Sequence, residues 1–326
     1  MPVKELRIEN FKSIRQLRLD CRRVNLFIGE PNTGKSNILE AIGLLSHVNY
    51  GNLKNFVRFE VMTDLFYDRV LDDPILVGFD DKTFKVQFRD GRFVGYVEQL
   101  TERGTTSSHS VFDYDYYGGE VQRSTGILNV FKFYRFVRKS EFKNPQSEFL
   151  LPPDGDNLLA VVMTRKRLKV ILNDIFRKFG YRPVFRPQEG KIEVLKELED
   201  VIFSLPYSLA SETLQRLVFY LAAIHSNRES ILTFEEPEAH AFPYYTKYLA
   251  EIIASDKNNN QYFIATHNPY FLTSILEKTP KEEVAIFVTS LENYQTKAKP
   301  LTEKQREKIL VDMGYDFFFN IEKFLK

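Results

Sequence analysis

Gly29 to Ser36 reads GEPNTGKS, a complete G-x-x-x-x-G-K-[ST] run followed by Asn37. Those residue types at that spacing bind phosphate. Gly29 and Gly34 let the backbone N–H groups of the loop, those of Asn32 and Thr33 included, curl around phosphate oxygens. Lys35 brings a point charge to the β and γ oxygens, and the Ser36 hydroxyl is placed to ligate Mg2+. ATP with Mg2+ is the expected ligand, the metal following from triphosphate chemistry and not from a ligand cluster. About two hundred residues later SILTFEEP (230–237) ends an apolar run in two adjacent carboxylates, and QYFIATHNP (261–269) ends another in Thr266 and His267. Paired acids at one strand end and a histidine at the next suit hydrolysis. Glu235 would hold the hydrated metal, Glu236 would orient and deprotonate the attacking water, and His267 would sense or stabilise the γ-phosphate.

These groups need a scaffold that brings distant strand ends together. Val24–Ile28 reads as a short apolar strand, SILTFEEP opens with four mostly apolar residues that read as a buried parallel strand, QYFIATHNP opens with another apolar strand, and a helix opens at the phosphate loop. The middle of the chain looks β-rich. FKVQFRDGRFVGYV (84–97) alternates around Asp90-Gly91 as a hairpin with Phe88 and Phe93 on one face. Residues 101–110 read as a mobile polar loop, Gly118-Gly119 as a turn, and 128–137 as an aromatic strand. FLLPPDGDN (149–157) reads as a tight loop or linker into one helix, Leu158–Phe179. A further strand is expected at Val284–Val288 and a helix near Glu303–Met313. The expected division is 1–60, an ATPase lobe with the phosphate loop; 61–150, its β-rich part; 151–205, a helical insertion; and 206–326, the lobe with the acidic strand and the histidine.

The order of motifs resembles the ABC-type ATPases of the SMC and RecF kind. LRIENFKSIRQLRLD near the N-terminus is similar to the N-F-[KR]-[SN] start of those families, and Ser36-Asn37-Ile38-Leu39-Glu40-Ala41-Ile42 resembles their continuation past the loop. Glu236 to His240, E-P-E-A-H, resembles the ATPase half of OLD-type proteins. The resemblance covers 1–50 and 205–280. It implies an α/β P-loop fold with a β-rich insertion and a short helical lobe, and ATP hydrolysis by a homodimer that sandwiches two ATP molecules. In those families a Ser-Gly-Gly-[Glu/Gln]-like segment at a helix N-terminus grips the γ-phosphate of the opposite subunit. Here Leu209 to Arg216, LASETLQR, stands in its place without glycine, with Ser211 preferred over Ser208. Glu235 departs too, since Asp is usual, and one extra methylene predicts slow turnover. Lys12 and Ser13 are expected at the adenine; Gln87 and Gln99 are the available Q-loop glutamines.

Alternative readings stand beside each motif. Glu235 and Glu236 would also suit the acidic start of a helix, His267 a helix-start neighbour of Thr266 and Asn268, and His240 a structural role. At 326 residues, 43% hydrophobic, with one cysteine and no apolar run of eighteen, the chain reads as a cytoplasmic globular enzyme without a disulfide or membrane span. A net charge of +1 predicts no strong nonspecific DNA affinity, so DNA would need a local site. KFYRFVRK (132–139) interleaves cations and aromatics as a single-strand surface would, although its alternation also suits a half-buried strand, the preferred reading. RKRLK (165–169) reads as a solvated helix face. No long heptad array or Cys-x-x-Cys hook separates the two halves. The 59 residues after His267 are too few for an OLD-type nuclease domain, so a partner would do any cutting. DNA repair, recombination or defence is the implied setting. The rivals are a nucleotide-gated module that recruits a protein effector without turnover, and a small-substrate kinase.

Overall fold

A computed structural model describes residues 3–100, 106–122, 125–311 and 314–325. At its centre lies β3 (Val24–Gly29), the strand that leads into the phosphate loop, and its side chains divide between two cores. Val24, Leu26 and Ile28 face one, and Phe27 faces the other. A strand buried on both faces reads as an unbroken apolar run, which is why its sequence lacks alternation. On either side, hydrogen-bonded in parallel to β3, run β14 (Gln261–Ala265) and β15 (Val284–Glu292). β13 (Ile231–Glu235) pairs in parallel with β14 and with the edge strand β9 (Phe131–Tyr134). β16 (Gln295–Pro300) closes the other edge, antiparallel to β15, giving the order β16-β15-β3-β14-β13-β9.

A second sheet is antiparallel, in the order β2-β1-β4-β5-β6-β7-β8. Its strands are β1 (Glu5–Phe11), β2 (Ile14–Asp20), β4 (Ile75–Phe79), β5 (Lys82–Arg89), β6 (Arg92–Leu100), β7 (Thr106–Tyr114) and β8 (Glu120–Gln122). Between the sheets lies α1 (Lys35–Tyr50), which packs on β9, β13, β14 and β1. Its buried positions run almost without interruption from Ile38 to Val48, as expected of a helix covered all round. The opposite face of the parallel sheet carries α2 (Leu158–Thr164), α3 (Lys166–Lys178), α4 (Glu212–Ser226), α5 (Pro243–Ala254) and α6 (Pro269–Lys278). A small sheet of β10 (Arg182–Arg186), β11 (Lys191–Leu198) and β12 (Val201–Pro206) joins α3 to α4. Three short helices, α7 (Glu303–Val311), α8 (Tyr315–Phe319) and α9 (Glu322–Leu325), follow β16.

The α/β fold class holds, and the hairpin is as expected: Phe88 and Phe93 are cross-strand partners with ring centroids 4.9 Å apart. Several local expectations change. Residues 106–110 belong to β7 rather than to a loop, while 101–105 lie outside the described residues. The helix expected over 158–179 is broken at Arg165, whose backbone is extended at φ −113°. The segment 151–205 is not purely helical, because β10–β12 follow its two helices. The strand near 128–137 is confined to β9, and the C-terminal helix ends at Val311, with Met313 outside the described residues. No helix among the described residues is long and apolar enough to cross a membrane.

Candidate nucleotide site

Because β3, β14 and β13 are adjacent and parallel, the phosphate loop, His267 and the two glutamates emerge side by side at one edge of the sheet. Ligands of open α/β sheets bind at this carboxyl edge. Asn32 and Gly34 take left-handed backbone angles, φ 64° and 90°, curling the loop ahead of α1. Gly34 also sits where no side chain fits, since a Cβ there would lie 1.9 Å from Thr296 Oγ1. The Lys35 ammonium is folded over the loop, donating to the Gly29 and Glu30 carbonyls at 2.8 Å each. Burial lowers its pKa to about 8, opposed by Glu236 and Glu235. Ser36 Oγ donates to Glu235 Oε1 at 2.5 Å, so the two groups expected at the metal already meet.

Around that meeting point the structure assembles a charge network. Glu40 of α1 is fully buried and receives the Lys12 ammonium, Arg58 Nε at 2.6 Å and Arg135 at 3.4 Å. Arg58 and Arg135 also approach Glu235, at 3.5 and 3.6 Å. Glu236 has φ 44°, an uncommon conformation for a residue with a long side chain, and its N–H donates to Ala265 O at 2.9 Å. This places Glu236 Oε1 3.3 Å from His267 Nε2. Burial, and then Lys35, lower the His267 pKa against the pull of Glu236, which keeps the imidazole neutral near pH 7. Behind it the buried Glu238 carboxylate pairs with the Thr266 hydroxyl, and burial raises the pKa of Glu238 to about 7.

A cleft of about 450 Å³ opens over the loop, walled by Ser13, Asn32, Gly34, Lys35, Ser36, Asn37 and Arg58, with Leu291 and Tyr294. A larger cleft of about 590 Å³ lies around Val3, Cys21 and Gln261, at the opposite end of β3 and β14, away from the phosphate loop. Residues 24–273 match the family described as "AAA domain, putative AbiEii toxin, Type IV TA system". The chain belongs to that family. Among solved structures it is similar to an SMC head bound to the C-winged helix domain of ScpA, with TM-score 0.57, 17% identity and coverage of 93% of this chain and 99% of that one. It is also similar to an SMC head with an extended coiled coil bound to the C-terminal domain of ScpA, derived from Pyrococcus furiosus. There the TM-score is 0.55 and the identity 12%, covering 95% of this chain and 99% of the other. No curated protein matches significantly. Family and fold together make the chain an AAA-type P-loop ATPase domain with an SMC-head-like fold.

Within this AbiEii-type family member the loop fits a triphosphate: left-handed Asn32 and Gly34 curl its backbone ahead of α1, and Lys35 bonds only carbonyls that phosphate oxygens can replace. The serine hydroxyl and the glutamate beside it are hard oxygen donors of the kind Mg2+ takes alongside phosphates. Among the described residues no group of three or more His, Cys, Asp or Glu could hold a metal by itself.

Not every expected residue joins this site. Ser13 is on the cleft wall, receiving Asn37 Nδ2 at 2.7 Å, but Lys12 is not; its ammonium is spent on Glu40 and the Arg58 carbonyl. Thr33 turns its hydroxyl to Glu30 O and Thr289 Oγ1, at 2.8 and 2.7 Å, leaving its backbone to the loop. Ser211 caps α4, accepting from Leu214 N at 3.3 Å, and is not on the cleft wall. Ser208 lies in the short turn before it. Gln99 bonds Asp81 and Gln87 sits by Arg89, both in the antiparallel sheet and neither on the cleft wall. Residues 132–134 of the 132–139 segment are buried, whereas Val137 and Arg138 are exposed. Lys132 is buried, bonded to Asn227 Oδ1 at 2.6 Å and 3.6 Å from the Phe149 ring centre. The strand is not half-buried as expected, since all four residues of β9 are buried. Arg165 donates to the Glu148 and Ser226 carbonyls, while Lys166 and Arg167 are exposed.

Sequence reasoning missed Arg58 and Arg135 at the metal-side carboxylates, as well as Glu238, Thr289 and Thr296. The turn N-F-V-R after α1 carried no local signal for Arg58. Arg135 was hidden inside the stretch read as a nucleic-acid candidate.

Proposed function

We propose that this protein binds and hydrolyses Mg-ATP, closes as a homodimer around two ATP molecules, and couples that cycle to DNA in repair, recombination or defence against foreign DNA. The observation that carries the hydrolysis is the side-by-side placement of Ser36 on Glu235 and Glu236 on His267, next to Lys35. Mg2+, when bound, would supply positive charge to the β- and γ-phosphate oxygens. Ser36 and Glu235 would hold it. Lys35 neutralises charge on the same oxygens, and Glu236 takes the proton of the water that attacks the γ-phosphorus as the bond to the bridging oxygen breaks, releasing ADP and phosphate. His267, neutral and with Nε2 3.3 Å from Glu236 Oε1, has one N–H, which it can turn to the γ-phosphate to stabilise the charge that develops there.

Dimerisation is supported by what surrounds Ser211. It is exposed at the N-terminus of a fifteen-residue helix, and Leu209 and Phe242, close in sequence to Ser211 and His240, are exposed to 70% and 69%. Thr213 Oγ1 donates to His240 O at 2.7 Å, which ties the two segments together. An exposed helix N-terminus with apolar flanks suits the γ-phosphate of another subunit. The SMC heads of similar fold were solved with ScpA, and by analogy a protein partner, such as a nuclease, belongs to this proposal. Glu235 in place of Asp and the glycine-free LASETLQR segment favour a second reading, a nucleotide-gated module with little turnover.

Steady-state ATP hydrolysis with and without duplex or single-stranded DNA, using Lys35→Ala as the blank, separates them. Turnover that DNA stimulates supports the first. Tight ATP binding without turnover, unaffected by DNA, overturns it in favour of the module.

A further inference from the structure

The hairpin of β15 and β16 lies beyond residues 24–273, the part that matches the family, yet it is stitched to the phosphate loop. Thr296 N donates to Ser13 O at 2.8 Å, and the Thr296 and Ser13 hydroxyls meet at 2.6 Å. Thr289 bonds Thr33 across the loop. Held in this way beside its turn, the hairpin brings that turn to the wall of the same cleft. That turn is Asn293-Tyr294, with φ 49° and 62°, the left-handed pair of a two-residue I′ hairpin, where Asn-Gly is the usual choice. Asn293 fits the rule; Tyr294 does not. A tyrosine in that conformation is unfavourable relative to glycine, and it gains no burial in return, being 86% exposed.

The walls of the cleft explain the exception. Apart from Gly34, Leu291 and Tyr294 they are polar or charged. The loop fixes the phosphates at Lys35 and Ser36, so the base of a bound nucleotide must lie away from those residues, and among the described residues the hairpin supplies the only aromatic and aliphatic surface on the wall. Lys12, expected at the base from the sequence, is occupied by Glu40.

We propose that Tyr294, backed by Leu291, is the base-stacking residue of this site, recognising a purine nucleoside triphosphate by ring overlap instead of hydrogen-bond readout. The proposal rests on the nucleotide reading above and adds the base to it. Stacking of this sort tolerates either purine, so ATP and GTP should bind alike, and CTP, with its smaller ring, more weakly.

Tyr294→Gly makes the test clean, because glycine relieves the turn and the variant should be at least as heat-stable as the wild type. ATP affinity should fall about five- to a hundredfold, while affinity for inorganic tripolyphosphate stays unchanged. The chain has no tryptophan, so Tyr294→Trp installs a single reporter. Its fluorescence should be quenched by ATP and not by tripolyphosphate, with ATP affinity preserved. Unchanged ATP binding by Tyr294→Gly, or equal loss of ATP and tripolyphosphate, overturns the stacking role. If the wild type binds neither, the phosphate-loop reading fails and the base site with it.

Discussion

The carboxyl edge of the parallel sheet and the N-terminus of α4 both carry groups expected at a γ-phosphate, but they differ in how far one chain completes them. At the sheet edge Ser36 already touches Glu235, Glu236 already faces His267, and Arg58 and Arg135 already flank the acids. At α4, Ser211 has only its own helix to bond, and it is not on the wall of the cleft that the loop forms. One half of the site is preorganised within the chain; the other presents donors outward with nothing of its own to bind. Preorganised groups act without further rearrangement, so the first half should govern ATP binding and the second should matter only when a second chain arrives.

Breaking the first half has the largest expected effect. Glu236→Gln keeps the shape of the side chain and its contact with His267 but cannot take a proton. Turnover should fall by about 10²–10⁴-fold with ATP affinity retained, and the variant should accumulate as a dimer in Mg-ATP by light scattering. Loss of ATP binding instead would move Glu236 from proton transfer to ground-state binding.

A smaller effect sharpens the same contrast through pH. Burial holds Lys35 at about 8 in the free protein, and triphosphate charge must raise that value on binding. Above pH 8 the free protein has lost a proton that the complex holds, so ATP affinity should weaken as pH rises, by up to about tenfold per unit. Titrations at pH 7.5 and 9 measure it. A flat profile would mean that Lys35 keeps its proton without the nucleotide.

The mildest effect concerns Glu238, which lies behind the edge rather than on it. Its carboxyl ordinarily titrates at 4.5 and is raised to about 7 by burial. Between these values the folded chain holds a proton that the unfolded chain has released, so its contribution to stability is complete below pH 4.5 and is lost as pH climbs to 7. Glu238→Gln removes that dependence. It should be more stable than the wild type at pH 8 by on the order of 1–3 kcal/mol, a gap that closes near pH 4.5 in denaturant unfolding.

What the sequence revealed and what it hid follow the same division between local and long-range order. The loop, β3, the acidic strand end and the 84–97 hairpin were legible because turn residues and apolar runs encode them locally. Arg58, Arg135, Thr289 and Thr296 were not, because only strand pairing across the chain brings them to the loop. Lys132 shows how period-two reading fails. Alternation with Phe131 and Phe133 suggested a strand with a solvent face, whereas Asn227 and Phe149, each distant in sequence, receive the ammonium in the interior. The break at Arg165 was likewise set by packing, since no glycine or proline stands at that joint, whereas β10 follows Gly180, whose φ of 77° ends α3. Tyr294 was invisible for the opposite reason: nothing buries it, so no apolar pattern marks it.

The central claim, that each site takes its loop from one chain and its serine from another, is tested most directly by mixing two inactive variants. Lys35→Ala lacks a working loop and Ser211→Arg lacks a working helix N-terminus, but their heterodimer contains one intact pair. With random pairing in an isologous dimer, an equimolar mixture should recover up to about a quarter of wild-type ATP hydrolysis, well above either variant alone. A mixture no more active than the average of its two components would contradict a shared site and leave a monomer that works, if at all, with the residues of its own sheet edge.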